Sequence, residues 1–174
     1  MATWKVDPSH SEVGFKVKHL MITNVKGVFR KYDITVDTDA EDFAQVKVQV
    51  TLDAKSIDTL DEKRDNHLRS ADFFNVEKYP DIKFVSTSYE RSGDKFLLKG
   101  DLTINGITNP VELDVDFEGV MKDPYGNAKA GFTVQGKINR KNWNLNWNAA
   151  LEAGGVLVSD EVRIHSEIQL AKQA

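Results

Sequence analysis

A chain of 174 residues fits one domain and is long enough to bury roughly two-thirds of the surface its unfolded form exposes, so it needs neither disulfide nor structural metal. Its 23 Lys and Arg against 27 Asp and Glu give a net charge of -4, which supplies no general attraction to phosphate polymers or anionic lipid surfaces and excludes nucleic acid as an expected partner. The absence of cysteine excludes disulfides, thiolate metal sites and a Cys nucleophile.

Residues 1–6 run into strand-like sequence without an apolar h-region, and no stretch approaches the roughly 18 apolar residues of a membrane span. The expectation is a cytoplasmic protein with no integral membrane segment, or a periplasmic one if a signal peptide has been removed. Trp4 and Val6 alternate with Lys5 and Asp7, and Asp7-Pro8-Ser9-His10-Ser11 predicts a turn through proline's fixed φ and short polar side chains. A long half-buried strand is expected over residues 12–21. There Val13, Phe15, Val17, His19 and Met21 share one parity, and Glu12, Lys16 and Lys18 take the other. His19 is the one titratable ring in that apolar row. Thr23-Asn24-Val25-Lys26-Gly27 reads as a bend, residues 29–36 resume the alternation, and Val46, Val48, Val50 and Leu52 mark a third long strand.

Thr59 with Glu62 three residues on has the capping-box pattern, Asp58 and Asp61 suit a positive helix start, and Leu60, Arg64 and Leu68 share a stripe. These predict one short helix ending at Arg69. Its apolar stripe is too thin to be a core, so it should lie against a sheet or over a barrel end. Phe73, Phe74 and Tyr79 follow without clear period, as core aromatics or as part of a cap. Strands return over 82–89, 96–105, 111–119, 130–139 and 161–170. Turn chemistry separates them at Ser92-Gly93-Asp94, Asn105-Gly106, Asn109-Pro110 and Asp123-Pro124-Tyr125-Gly126-Asn127. Eight or so antiparallel strands with one inserted short α-helix predict an all-β fold closed into a barrel, because closure removes exposed sheet edges. At about eight strands the interior holds side chains plus one small ligand. No linker or second domain interrupts residues 1–174.

His10, His19, His67 and His165 raise a metal reading, but they sit on four separate elements without His-x-His or His-Glu-x-x-His spacing, and no metal or cofactor is expected. Asp7, Ser9 and His10 have the residue types of a nucleophilic site, yet adjacent turn residues rarely converge and no Gly-x-Ser-x-Gly elbow is present. The simpler reading is a side-chain-bonded turn. Arg64, His67 and Arg69 form either a solvated helix face or part of a lid that meets a headgroup.

Several stretches together resemble the YceI-like family, bacterial lipocalin-like barrels described as polyisoprenoid-binding. They are Trp4-Lys5-Val6-Asp7-Pro8-Ser9-His10-Ser11, Phe15-Lys16-Val17-Lys18-His19-Leu20-Met21, Gly27-Val28-Phe29, the run from Arg64 to Phe74, and Tyr79-Pro80-Asp81-Ile82-Lys83-Phe84. Gly100-Asp101-Leu102-Thr103-Ile104-Asn105-Gly106-Ile107-Thr108 and Val158-Ser159-Asp160-Glu161-Val162 complete the order. One stretch departs from the pattern. Where the family usually has Arg followed by Asp-Phe-Gly, this chain has Arg140-Lys141-Asn142-Trp143-Asn144-Leu145-Asn146-Trp147, with Asn144 in place of the usual glycine.

The resemblance implies an extended eight-stranded lipocalin-like barrel, often a homodimer, whose apolar pore takes an isoprenoid or a quinone-like long-chain lipid without catalysis. Phe15, Val17, His19, Met21 and Phe29 would then line the pore with Phe84, Phe117, Phe132 and Trp143. Residues 59–79, Phe73 and Phe74 among them, would help close one end. Burial alone can hold such a tail, since roughly 25 cal/mol is gained per Å² of apolar surface removed from water. Two alternatives stand beside this reading: a solid-core barrel whose surface serves assembly or a stress response, and a hydrolase or metal enzyme using His10 or His19.

Overall fold

Period-two alternation makes each strand amphipathic, and the chain buries those apolar faces by rolling the strands into one ring. A computed structural model describes residues 1–39, 42–149 and 157–174. Its strands are β1 (Ala2–Val6), β2 (Glu12–His19), β3 (Thr23–Phe29), β4 (Tyr32–Thr38), β5 (Val46–Asp53) and β6 (Ile57–Asp58). After the single helix α1 (Glu62–Arg69) come β7 (Asp81–Ser92), β8 (Lys95–Ile104), β9 (Ile107–Lys122), β10 (Ala128–Asn139) and β11 (Val158–Lys172). Neighbours pair antiparallel in the order β1-β4-β5-β7-β8-β9-β10-β11, and β11 returns to β1 through Trp4↔Lys172 and Val6↔Leu170, closing an eight-stranded barrel.

The barrel is extended because β11 is long enough to carry two partners. Its C-terminal end pairs with β1 while residues 158–167 pair with β2, and β3 and β6 continue the wall beyond β2. At the β1 end Trp4, Ile34, Val36, Phe43, Ala130, Ile168 and Leu170 form one apolar cluster. A second, larger cluster fills the wall toward α1.

Four local expectations change. The first long strand ends at His19, because Leu20 and Met21 adopt left-handed φ values of 53° and 62° and turn the chain; Met21 therefore leaves the row and is 58% exposed. The stretch read as a bend after it is strand β3, whose Phe15↔Gly27 and Val17↔Val25 pairs continue the wall. Asn109-Pro110 is not a turn: the chain reverses at Asn105-Gly106, both with positive φ as a two-residue hairpin of this twist requires, and Pro110 lies within β9. Helix α1 is capped by Asp61, whose carboxylate accepts the Arg64 amide, and Thr59 is engaged elsewhere.

Candidate ligand-binding site

Inward-facing residues leave the barrel axis open. A cavity of about 690 Å³ lies under α1, between β2, β3 and the start of β11; Phe15, Val17, His19, Val25 and Phe29 contribute to its wall. A second cavity of about 180 Å³ lies farther along the axis among Val48, Val50, Phe84, Leu98, Val115 and Phe132. Both are bounded by Val13, Leu52, Ile82, Leu102 and Ile164, so they adjoin along one channel. The larger volume lies within the roughly 300–1,000 Å³ of small-molecule sites, and both walls are chiefly hydrocarbon, as apolar ligands require.

Phe43 closes the far end. It is fully buried, its ring 5.0 Å from Trp4, 5.3 Å from Phe117 and 5.1 Å from Phe132. Asp42 accepts the Ala44 amide, and between them Phe43 holds φ 51°. The smaller cavity's wall also holds an unusual group. The Tyr89 hydroxyl is buried without a hydrogen-bond partner among the described residues, while its ring stacks on Phe96 at 4.6 Å. Burial pushes the phenol's pKa up, against a smaller opposing pull from Arg91, so it remains a neutral donor.

The α1 end is the mouth, and buried polar groups hold it. Asp65, 5% exposed, accepts the Thr59 amide at 3.0 Å and the Thr59 hydroxyl, while Arg64 donates to that hydroxyl at 2.8 Å and to the Thr59 carbonyl at 2.7 Å. Arg69 donates to the Lys55 and Ile57 carbonyls, fixing the other end of the helix to the wall. Opposite, Arg140 is 3% exposed and donates to the carbonyls of Leu145, Trp147, Val158 and Ser159. Burial lowers its pKa, with Asp160 opposing. Its donors are spent on backbone, so its role at the mouth is architectural. His67 bonds Asp72 at 2.9 Å, and its ring packs edge-on against Phe73 and Trp147.

Of the residues expected to line a pore, Phe15, Val17, His19, Phe29, Phe73 and Phe74 border the larger cavity, and Phe84 and Phe132 the smaller. Met21 lies outside on the β2–β3 turn. Phe117 stands behind Phe132 as its stacking partner, and Trp143 is buried in the wall with its indole N–H donated to the Leu102 carbonyl at 2.9 Å. Sequence reasoning missed Phe43 and the Tyr89 hydroxyl. Phe43 sits in a polar connection without period; Tyr89 was legible only as one more strand residue.

A family model described as the YceI-like domain matches residues 4–170. The chain belongs to the YceI-like family. Among its relatives, a UPF0312 protein of Staphylococcus aureus strain MSSA476 is 41% identical over 172 residues, 98% of each chain. The Campylobacter jejuni YCEI protein has a solved structure similar to this one at TM-score 0.78, with 35% identity over 97% of each chain. A polyisoprenoid binding domain from Saccharophagus degradans shares the fold at TM-score 0.67 over 98% of each chain, with 14% identity.

Within this YceI-like barrel Asn144 occupies the left-handed region, φ 60° and ψ 26°, just after the 3-10 turn Arg140–Trp143. Asparagine is the side chain best tolerated where glycine is usual, so the departure preserves the local backbone. Asp7, Ser9 and His10 do converge: Ser9 Oγ donates to Asp7 at 2.7 Å, and His10 Nδ1 lies 2.9 Å from Asp7 and 3.1 Å from Ser9. Both partners meet the same ring nitrogen, whereas a proton relay needs the nucleophile on one nitrogen and the carboxylate on the other. The cluster caps the turn. Among the described residues no group of three or more His, Asp or Glu is placed to hold a metal ion, and no helix is long and apolar enough to cross a membrane.

Proposed function

We propose that this protein binds, and thereby stores or carries, an isoprenoid or related long-chain lipid in its barrel channel, without catalysis and without a cofactor. The observation that carries the reading is the pair of adjoining apolar cavities, open under α1 and stopped by Phe43. A solid-core barrel has no place for a void of about 690 Å³, which if left empty would forfeit packing contacts along its whole wall. The polyisoprenoid binding domain that shares the fold supports the same ligand class. Phe15, Val17, His19 and Phe29 near the mouth, with Phe84 and Phe132 deeper, are the proposed contacts. The working form is proposed to be a homodimer.

Mass spectrometry of an organic extract from gently purified protein, beside native mass spectrometry, tests this. One dominant isoprenoid or long acyl species near one per chain supports the reading, and the native mass reads the oligomeric state. A protein that emerges empty and takes up none of a series of prenylated quinones overturns it.

A further inference from the structure

The pleat sets outward-facing side chains in rows across the barrel wall, and one row is entirely cationic. Lys26 on β3 lies opposite Lys16 on β2, Lys16 opposite Arg163 on β11, and Arg163 opposite Lys137 on β10. Directly opposed residues stand about 5 Å apart, and like charges so placed destabilise a sheet. Arg163 has Glu161 at 3.3 Å; Lys16, Lys26 and Lys137 have no ion pair among the described residues. The overall charge of -4 conceals this row, because its members come from three distant parts of the chain.

The same wall runs on into the β2–β3 hairpin, whose tip is apolar. Leu20, Met21 and Ile22 are 40%, 58% and 77% exposed, three consecutive large side chains in water. From Val13 to Lys31 the sequence has Lys16, Lys18, Lys26, Arg30 and Lys31 and no acidic residue. Lys18 and His19 border the larger cavity, and the Leu20 amide bonds the Leu157 carbonyl beside it, so the tip stands at the mouth. Lys16 lies four residues before Leu20, roughly 13 Å along a strand. An apolar tip with cations set back by that distance matches a bilayer surface, where apolar groups enter about 5–10 Å and cations meet the phosphates. An acidic protein would satisfy the cations and leave the apolar tip unexplained.

We propose that the β2–β3 hairpin docks the barrel on an anionic bilayer, Met21 and Ile22 entering the headgroup–acyl boundary and the Lys26–Lys16–Arg163–Lys137 row facing lipid phosphates. The docking stands on surface features alone; that the mouth thereby faces its lipid source rests on the proposed channel function.

Co-sedimentation with vesicles of phosphatidylcholine alone, or with about three parts in ten phosphatidylglycerol, tests it. Binding is expected to the mixed vesicles only and to fall as salt rises. The Lys16→Glu/Lys26→Glu pair should weaken it at least tenfold, and Met21→Ser/Ile22→Ser should weaken it at unchanged salt dependence. All four residues lie on the outer surface, and cooperative thermal melts no lower than the parent's will show that the variants fold. Equal partition onto both vesicles, indifference to both variants, or tighter binding to polyglutamate than to the mixed vesicles overturns the proposal. Uptake of a prenylated quinone from detergent solution, measured on the same variants, keeps the two readings apart. Vesicle binding without uptake removes only the channel function, and uptake without vesicle binding removes only the docking.

Discussion

The Asp65 carboxylate receives both the amide and the hydroxyl of Thr59, and both residues are buried. This joint locks α1 over the mouth from a position the sequence assigns to the helix cap. Asp65→Ala strands two buried donors, for which the expected loss is about 2–3 kcal/mol. Asp61→Ala removes an exposed cap and should lose about 1 kcal/mol. Urea unfolding of the two variants ranks them, and a larger loss for Asp61→Ala would contradict the assignment.

Tyr89→Phe should have the opposite sign. It deletes a buried hydroxyl that has no partner among the described residues and keeps the ring stacked on Phe96, so the empty protein should gain about 1 kcal/mol. The pH dependence follows from the raised pKa. The unfolded chain's tyrosine ionises at about pH 10 while the folded one resists, so the parent's stability is untouched by this group below about pH 10 and falls as pH rises beyond it, which widens the variant's advantage. The variant's stability should therefore fall less steeply in alkali. Denaturation midpoints at neutral and alkaline pH measure both effects, and a destabilised Tyr89→Phe protein would mean that the hydroxyl is satisfied.

The sequence made the barrel legible because period-two alternation is a local signal that survives in single strands such as Val46–Asp53. It misplaced features decided by tertiary partners. Thr59 reads as a cap until Asp65 is seen to claim it, and Asn109-Pro110 reads as a turn although β8 holds Pro110 opposite Asp101. Met21 keeps the parity of the row only until the left-handed backbone at Leu20 rotates it outward. The channel wall was partly visible as an apolar row; its stopper was not, because Phe43 belongs to no row. The cationic stripe is the strongest case: Lys16 and Arg163 are neighbours only once register is known.

Phe43→Ala should lengthen the channel at the Trp4 end. The deleted ring contacts Trp4, Phe117 and Phe132, and a buried Phe→Ala change typically costs about 3–5 kcal/mol, part of it from the cavity left behind. In a lipid-loaded protein the same opening should shift the extracted species toward longer chains. Phe84→Ala widens the channel at its middle instead and serves as the comparison. Extract mass spectrometry of both variants decides; the same chain-length distribution in Phe43→Ala as in the parent would show that the channel does not end at Phe43.

Asp7 ties the start of the chain to β10, and its carboxylate gives the fold an acid limit. Its oxygens accept from Ser9 Oγ at 2.7 Å, meet His10 Nδ1 at 2.9 Å and accept from Lys129 Nζ at 3.1 Å. The Ser9 hydroxyl is the foremost cause that holds its pKa well below the ordinary carboxylate range, with His10 and then Lys129 assisting against burial. A carboxylate depressed in the folded state stabilises fully above its unfolded pKa of about 3.9, and that contribution is lost as pH falls from there toward the folded value. Asp7→Asn should therefore be less stable than the parent by about 1–2 kcal/mol at neutral pH. The difference should shrink steadily below about pH 3.9, where the unfolded parent binds a proton that the folded one resists. Lys129→Ala, which removes one partner of several, should reproduce only part of the neutral-pH loss. Urea unfolding of the three proteins from neutral to acid pH measures this, and a gap between parent and Asp7→Asn that stays constant across the range would show that the ionised carboxylate is not its source.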